Sequence, residues 1–177
     1  MPPLPPAPQL NRKDQQVNMA RRGQAKIRKI EPDPLYNSVL VAKFINKSMR
    51  SGKKSVAQKE VYRAFEIIKE KTGTDPTKIL IQAMENVKPN MEVKPRRVGG
   101  AAYQVPMPVR GPRKESLAVR WIINLANARS SSEFHTYAEK LAAELTDAAK
   151  GEGGAVKKRT DMERVAEANR AFAHFNW

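Results

Sequence analysis

Hydrophobic side chains recur at helical spacing through most of this 177-residue chain, but between residues 91 and 109 the period drops to two and then returns. Met91, Val93 and Pro95 alternate with Glu92, Lys94 and Arg96; beyond Val98-Gly99-Gly100, the residues Tyr103, Val105, Met107 and Val109 alternate again. Alternation on both sides of a glycine-containing turn predicts a β-hairpin. A lone two-stranded ribbon is marginally stable in water, so it must lean on helices at its base or gain order from a partner near its tip. Proline cannot donate to a ladder, which predicts Pro95, Pro106 and Pro108 on exposed ribbon edges. One ribbon inserted into a helical chain fixes the class. The expectation is a mainly α protein: a single helical-bundle domain of about six helices with a protruding two-stranded β-hairpin arm at about 91–109.

The helices come from apolar stripes at i, i+3, i+4 spacing. Leu40, Val41, Phe44, Ile45 and Met49 predict a first helix from about residue 36 to 50, entered after the break Glu31-Pro-Asp-Pro34. Ala57, Val61, Ala64, Phe65 and Ile68 predict a second, opened by a capping box at Ser55–Gln58 and stopped at Gly73; Glu60 sits at the edge of its buried face. Asp75 and Pro76 predict the start of a third, with Ile79, Leu80, Ala83, Met84 and Val87 inward. Leu117, Ala118, Trp121, Ile122, Leu125 and Ala128 predict a fourth. A second capping box, Ser130–Glu133, introduces a fifth carrying Phe134, Tyr137, Ala138, Leu141, Ala142, Leu145 and Ala149. After Gly151-Glu-Gly-Gly154, a last helix is expected from about 156 to 175 with Val165, Ala168, Phe172 and Phe175 on one side. Residues 1–18 hold five prolines and no apolar period, which predicts a disordered, extended tail ahead of a domain spanning 19–177. Alternatives for that tail are a ligand for a proline-binding module at Pro2–Pro8, or translation begun upstream of Met19.

Charge is the main functional signal. The chain carries 33 Lys and Arg against 18 Asp and Glu, net +15. Residues 20–60 hold 11 basic and 3 acidic side chains, and residues 88–114 hold 7 and 1, while residues 61–87 and 115–177 are balanced. Two blocks therefore own nearly all of the positive field, as one polyanion-binding surface would require. The first block contains an arm with Arg21, Arg22, Lys26, Arg28 and Lys29. It continues through Lys43, Lys47 and Arg50, which fall within about 60° of each other on a helix, and then Lys53 and Lys54. The second contains Arg96, Arg97, Val98, Gly99 and Gly100 at the hairpin tip, and Arg110, Arg113 and Lys114 beyond it. Lys157, Lys158 and Arg159 form a smaller cluster near the start of the last helix, where cations oppose the helix dipole unless an anion binds there.

No reaction chemistry accompanies these cations. Cysteine is absent, which removes disulfides, thiol catalysis and thiolate metal sites together. His135 and His174 stand 39 residues apart, so no metal site is expected. Neither Gly99-Gly100 nor Gly153-Gly154 opens a phosphate-cradling loop, no serine sits in a nucleophile elbow, and carboxylates do not pair as acid and base. No apolar run reaches the roughly 18 to 20 residues of a membrane span. The expectation is a binding protein, with no catalytic residues and no cofactor. Its aromatic residues lie at core spacing rather than as a stacking platform, which argues for recognition of folded nucleic-acid backbone shape over single strands. A DNA-architectural protein with a basic β-arm is the rival within the binding class, and an RNA-acting enzyme the rival outside it.

Several runs together resemble the bacterial small-subunit ribosomal protein seven family: Arg21-Arg-Gly-Gln-Ala-Lys26, Pro32-Asp-Pro34, Leu40-Val-Ala-Lys-Phe-Ile-Asn46, Gly52-Lys-Lys-Ser55, Lys94-Pro-Arg-Arg-Val-Gly-Gly100, Tyr103-Gln-Val-Pro106, Leu117-Ala-Val-Arg-Trp-Ile122 and Gly154-Ala-Val-Lys-Lys-Arg159. The likeness runs from about Met19 to the end. It implies a helical bundle with a long hairpin arm in the cytoplasmic ribosome, a structural constituent of the small subunit that binds the 3′ major domain of its rRNA and nucleates head assembly. The exit-site tRNA, the mRNA path and small-subunit proteins nine and eleven are the implied neighbours. The arm, the Lys43/Lys47/Arg50 stripe, Lys53, Lys54 and Arg110–Lys114 would then grip rRNA. The tip with Arg96 and Arg97 would point to the tRNA. Against the usual pattern, residues 1–18 have no counterpart, Glu60 replaces an aliphatic residue, and Pro108 replaces a charged one.

Overall fold

Apolar stripes at helical spacing build six α-helices among the described residues of this computed structural model, which cover 29–175. The proline-rich tail and the arm residues Arg21, Arg22, Lys26 and Arg28 lie outside them. In chain order the elements are α1 (Val39–Ser48), α2 (Lys54–Thr72), α3 (Pro76–Val87), β1 (Met91–Val98), β2 (Ala101–Pro108), α4 (Gly111–Ala128), α5 (Tyr137–Lys150) and α6 (Gly153–Ala168), followed by a 3-10 turn at Arg170–Phe175. The mainly α class with a two-stranded arm is borne out. No helix among the described residues is long and apolar enough to cross a membrane.

The core is the sum of the inward stripes. Val41, Phe44 and Ile45 of α1, Val61, Phe65 and Ile68 of α2, Leu80 and Met84 of α3, Ile122 of α4, and Leu141 and Leu145 of α5 are all buried. Helix α5 runs through the middle and packs on α2, α3, α4 and α6. Burying a side chain of this size stabilises by about 1.5–3 kcal/mol, so these residues dominate the favourable side of folding.

Short-range signals place some helix ends and misplace others. Asp75 caps α3 as expected: its carboxylate accepts from the Thr77 amide at 3.0 Å, and Pro76 occupies the first turn. The expected box at Ser55–Gln58 does not form; α2 already begins at Lys54, and its N-cap is Lys53 without any side-chain cap bond. The left-handed residues Ser51 and Gly52 turn the chain into α2 instead. The expected box at Ser130–Glu133 is a turn, and the true one lies six residues on, at Thr136 and Glu139. Both stretches have the S/T-x-x-E pattern. The second wins because it sets Ala138, Leu141, Ala142 and Leu145 on the core side.

The last helix is also shorter than expected. Asn169 ends α6, and the chain tightens into the 3-10 turn. Val165 and Ala168 are exposed, and Ala155, Val156 and Ala166 are the buried residues of α6. In a 3-10 segment residues three apart eclipse, which stacks the rings of Phe172 and Phe175 at 12° to each other.

Gly99 and Gly100 form the two-residue hairpin turn, both at positive φ (59° and 90°), the conformation that suits the strand twist and that glycine adopts without strain. The register pairs Val93 with Pro106, Lys94 with Val105 and Arg96 with Tyr103. Directly paired residues share a face, so the apolar sets of the two strands lie on opposite faces of the ribbon. Pro106, expected at an exposed edge, is buried; Pro95 and Pro108 are exposed. Glu92 shares the face of Val105 and Met107, and it is only 7% exposed.

Candidate nucleic-acid interface

A buried carboxylate needs partners, and Glu92 draws two cations to the hairpin base. Arg113 reaches one carboxylate oxygen at 3.1 Å and Lys94 the other at 3.3 Å. One residue further along α4, Lys114 donates to the Asn90 side chain at 2.8 Å. Glu115 then pairs with Lys43 of α1 at 2.9 Å. These contacts bring the two basic blocks, far apart in the chain, together where the start of α4 meets α1 and the ribbon. Asn90 also donates its backbone N–H to Glu163 of α6 at 3.1 Å. Arg159 donates to the Asn86 carbonyl at 2.7 Å and lies 3.8 Å from Glu163.

The cations marked by sequence therefore fall into two sets. Lys43, Arg113, Lys114 and Arg159 already have partners within the chain. Lys47, Arg50, Lys53, Lys54, Arg97, Arg110, Lys157 and Lys158 are exposed and make no ion pair among the described residues. Arg96 is half-buried and also unpaired; Lys29 is exposed. Arg50 does not continue the helical stripe of Lys43 and Lys47, because α1 ends at Ser48 and Met49 is extended. It belongs instead to the loop that carries Lys53.

That loop borders a cleft of about 260 Å³ lined by Ser48, Arg50, Lys53, Val56, Glu60 and Tyr137, among others. The Tyr137 hydroxyl donates to Ser48 at 3.3 Å. Burial raises the Tyr137 pKa, against the lowering influence of that bond and of Arg50, so the phenol stays neutral. Glu60 lies across from the cations and contacts Arg63 at 3.4 Å.

Sequence reading missed the internal anchors. A lone acid inside a block of seven cations was the available signal for Glu92. Nothing local marks Glu115 as the partner of Lys43, since 72 residues separate them. It also missed the ring cluster of Tyr103, Phe172 and Phe175, whose centroids stand 5.2 and 5.4 Å from Tyr103.

What the unpaired cations can do is electrostatic: hold phosphates, with arginine adding forked hydrogen bonds to their oxygens. Comparison with known proteins fits this chemistry. Residues 20–170 match the family described as ribosomal protein S7p/S5e. The chain is 57% identical over 159 residues to the small ribosomal subunit protein uS7 of Carboxydothermus hydrogenoformans, covering 90% of this chain and all of the relative. It is 57% identical to the protein of that name from Caldicellulosiruptor bescii and 56% identical to that of Thermus thermophilus, at the same coverage. With so much of both chains matched at such identity, this chain belongs to the ribosomal protein S7p/S5e family, a family of structural rather than enzymatic ribosomal proteins.

Proposed function

We propose that this chain binds small-subunit rRNA directly in its 3′ major domain and nucleates assembly of the subunit head in the cytoplasmic ribosome. The arm, the loop between α1 and α2 and the start of α4 hold the RNA, with Lys157 and Lys158 as a further grip. The hairpin tip, with Arg96, Arg97 and Val98 before the two glycines, extends toward the exit-site tRNA and the mRNA path. Small-subunit ribosomal proteins nine and eleven are the proposed protein neighbours.

The observation that supports this reading is the division of the cations. A soluble surface carries its charges interspersed with opposite ones, whereas here Lys47, Arg50, Lys53, Lys54 and Arg110 stand exposed and without an ion-pair partner among the described residues. Each phosphate neutralised by such a group releases counterions, so about 8 contacts give a slope of log K on log salt near −6 to −7. The test compares one cation from each set. Lys47→Ala should reduce the slope by about 0.7–0.9 in filter binding to the rRNA junction. Lys43→Ala should leave the slope unchanged, because Lys43 already serves Glu115. Equal slopes for both variants, or equal affinity of the parent protein for duplex DNA, would overturn the reading.

A further inference from the structure

The ribbon is held at two levels. At its base, Glu92 meets Arg113 and Lys94, the Val109 amide donates to the Asn90 carbonyl at 2.9 Å, and Val105 is fully buried. Higher up, the ring of Tyr103 rests on Phe172 and Phe175, and the 3-10 turn packs along β2. Within that turn, His174 lies with its ring 4.0 Å from Phe175 and one ring nitrogen 2.8 Å from the Ala171 carbonyl. Tyr103 is paired directly with Arg96, so the upper support acts at the level of the first tip arginine.

We propose that Tyr103, Phe172 and Phe175 are positioning residues: the C-terminal 3-10 turn is a strut that fixes the elevation of the hairpin and thereby places Arg96 and Arg97. As a statement about function this rests on the tip reading given above; as a statement about the arm it stands on the geometry alone. Mechanics decides its size. With the strut, only the three residues beyond Tyr103 project freely, about 10 Å at ~3.3 Å per residue. Without it the free arm starts near Val105, and about 17 Å of an intrinsically marginal ribbon swings from its base. The centroid distances of 5.2 and 5.4 Å lie within the range that favours aromatic pairs beyond the area they bury. Two such contacts suffice to favour one arm position over the alternatives.

The chain contains no cysteine, so paired spin labels can be installed cleanly at Ala101→Cys, next to the turn, and Glu70→Cys, exposed on α2. Double electron–electron resonance on the free, full-length protein should give one narrow distance distribution. In the Phe172→Ala/Phe175→Ala background, and separately in Tyr103→Ala, its width should at least double while helicity by circular dichroism stays that of the parent. Tyr103→Phe keeps the ring and should restore the narrow distribution. An unchanged width in both alanine backgrounds would overturn the strut. Filter binding of the same proteins to the rRNA junction reports on the functional reading independently: affinity within about twofold of the parent is expected, since the unpaired loop cations are untouched. A parent protein without rRNA affinity would sink that reading while leaving the strut to its own distance measurement.

Discussion

Glu144 shows how one charged residue can be tolerated in the core of a small helical protein. Its side chain is 2% exposed. One carboxylate oxygen accepts the Ala155 amide at 2.8 Å, and the other accepts from Arg129 Nε at the same distance. Arg129 in turn pairs with Asp147 and stands over the ring of Phe134. Burial alone would lower the Arg129 pKa, but its bonds to Asp147 and Glu144 prevail and raise it, so the guanidinium stays charged. The residue thus ties the end of α4, the middle of α5 and the first turn of α6. Room is limited as well: a Cβ on Gly153 would lie 3.1 Å from the Cβ of Asp147, and Gly153 has a φ of 88°. Removing Glu144 leaves a buried amide and a partly buried guanidinium short of partners, which costs about 3 kcal/mol. Glu144→Ala should therefore lower the urea midpoint by that equivalent at an unchanged m-value; a loss below about 1 kcal/mol would show that water replaces the carboxylate. None of this is legible in sequence. The two partners stand 11 and 15 residues away, in α6 and at the end of α4, and a periodic pattern assigns Glu144 to a face without saying what it meets there.

Elements were legible where their signal is local and ambiguous where two local signals compete. Helix α3 announces itself because cap, proline and stripe agree. The ribbon announces itself through period and turn, yet its two-faced pairing depends on register, which alternation in each strand does not reveal. The helix starts differ in their electrostatics. Asp75 and Glu139 are carboxylates that accept backbone amides at the starts of α3 and α5, and these bonds hold the pKa of both below the ordinary range. A depressed folded-state pKa contributes stability that is present above the unfolded value, about 4, and is lost as pH falls through the folded value. Thermal melts of the parent should thus fall through the acid range below about pH 4. Asp75→Asn/Glu139→Gln should melt lower at neutral pH and show a shallower acid decline. Parallel melting curves for the two proteins across that range would refute the assignment of these carboxylates.

At the scale of the whole molecule, α2 breaks the rule that α3 and α5 follow. It is the longest helix among the described residues, yet its N-cap is a lysine, its first turn contains no acid, and Arg50, Lys53 and Lys54 crowd its positive end. Each cation there opposes the helix dipole by about 0.3–1 kcal/mol. Stability alone would favour Asp or Ser at position 53, so the arrangement makes sense as a standing cost that bound phosphate relieves. A single reversal separates the two demands. Lys53→Glu should raise the melting temperature of the free protein by about 1–2 °C, the equivalent of ~0.5 kcal/mol in a chain of this length. The same change removes one phosphate contact and adds repulsion, so affinity for the rRNA junction near 0.1 M salt should fall about tenfold or more. Gain in one measurement with loss in the other is the signature of a helix start kept cationic for its ligand. A variant that melts higher and binds equally well would show that Lys53 does not face the RNA. One that melts lower would show that the dipole is not what this lysine opposes.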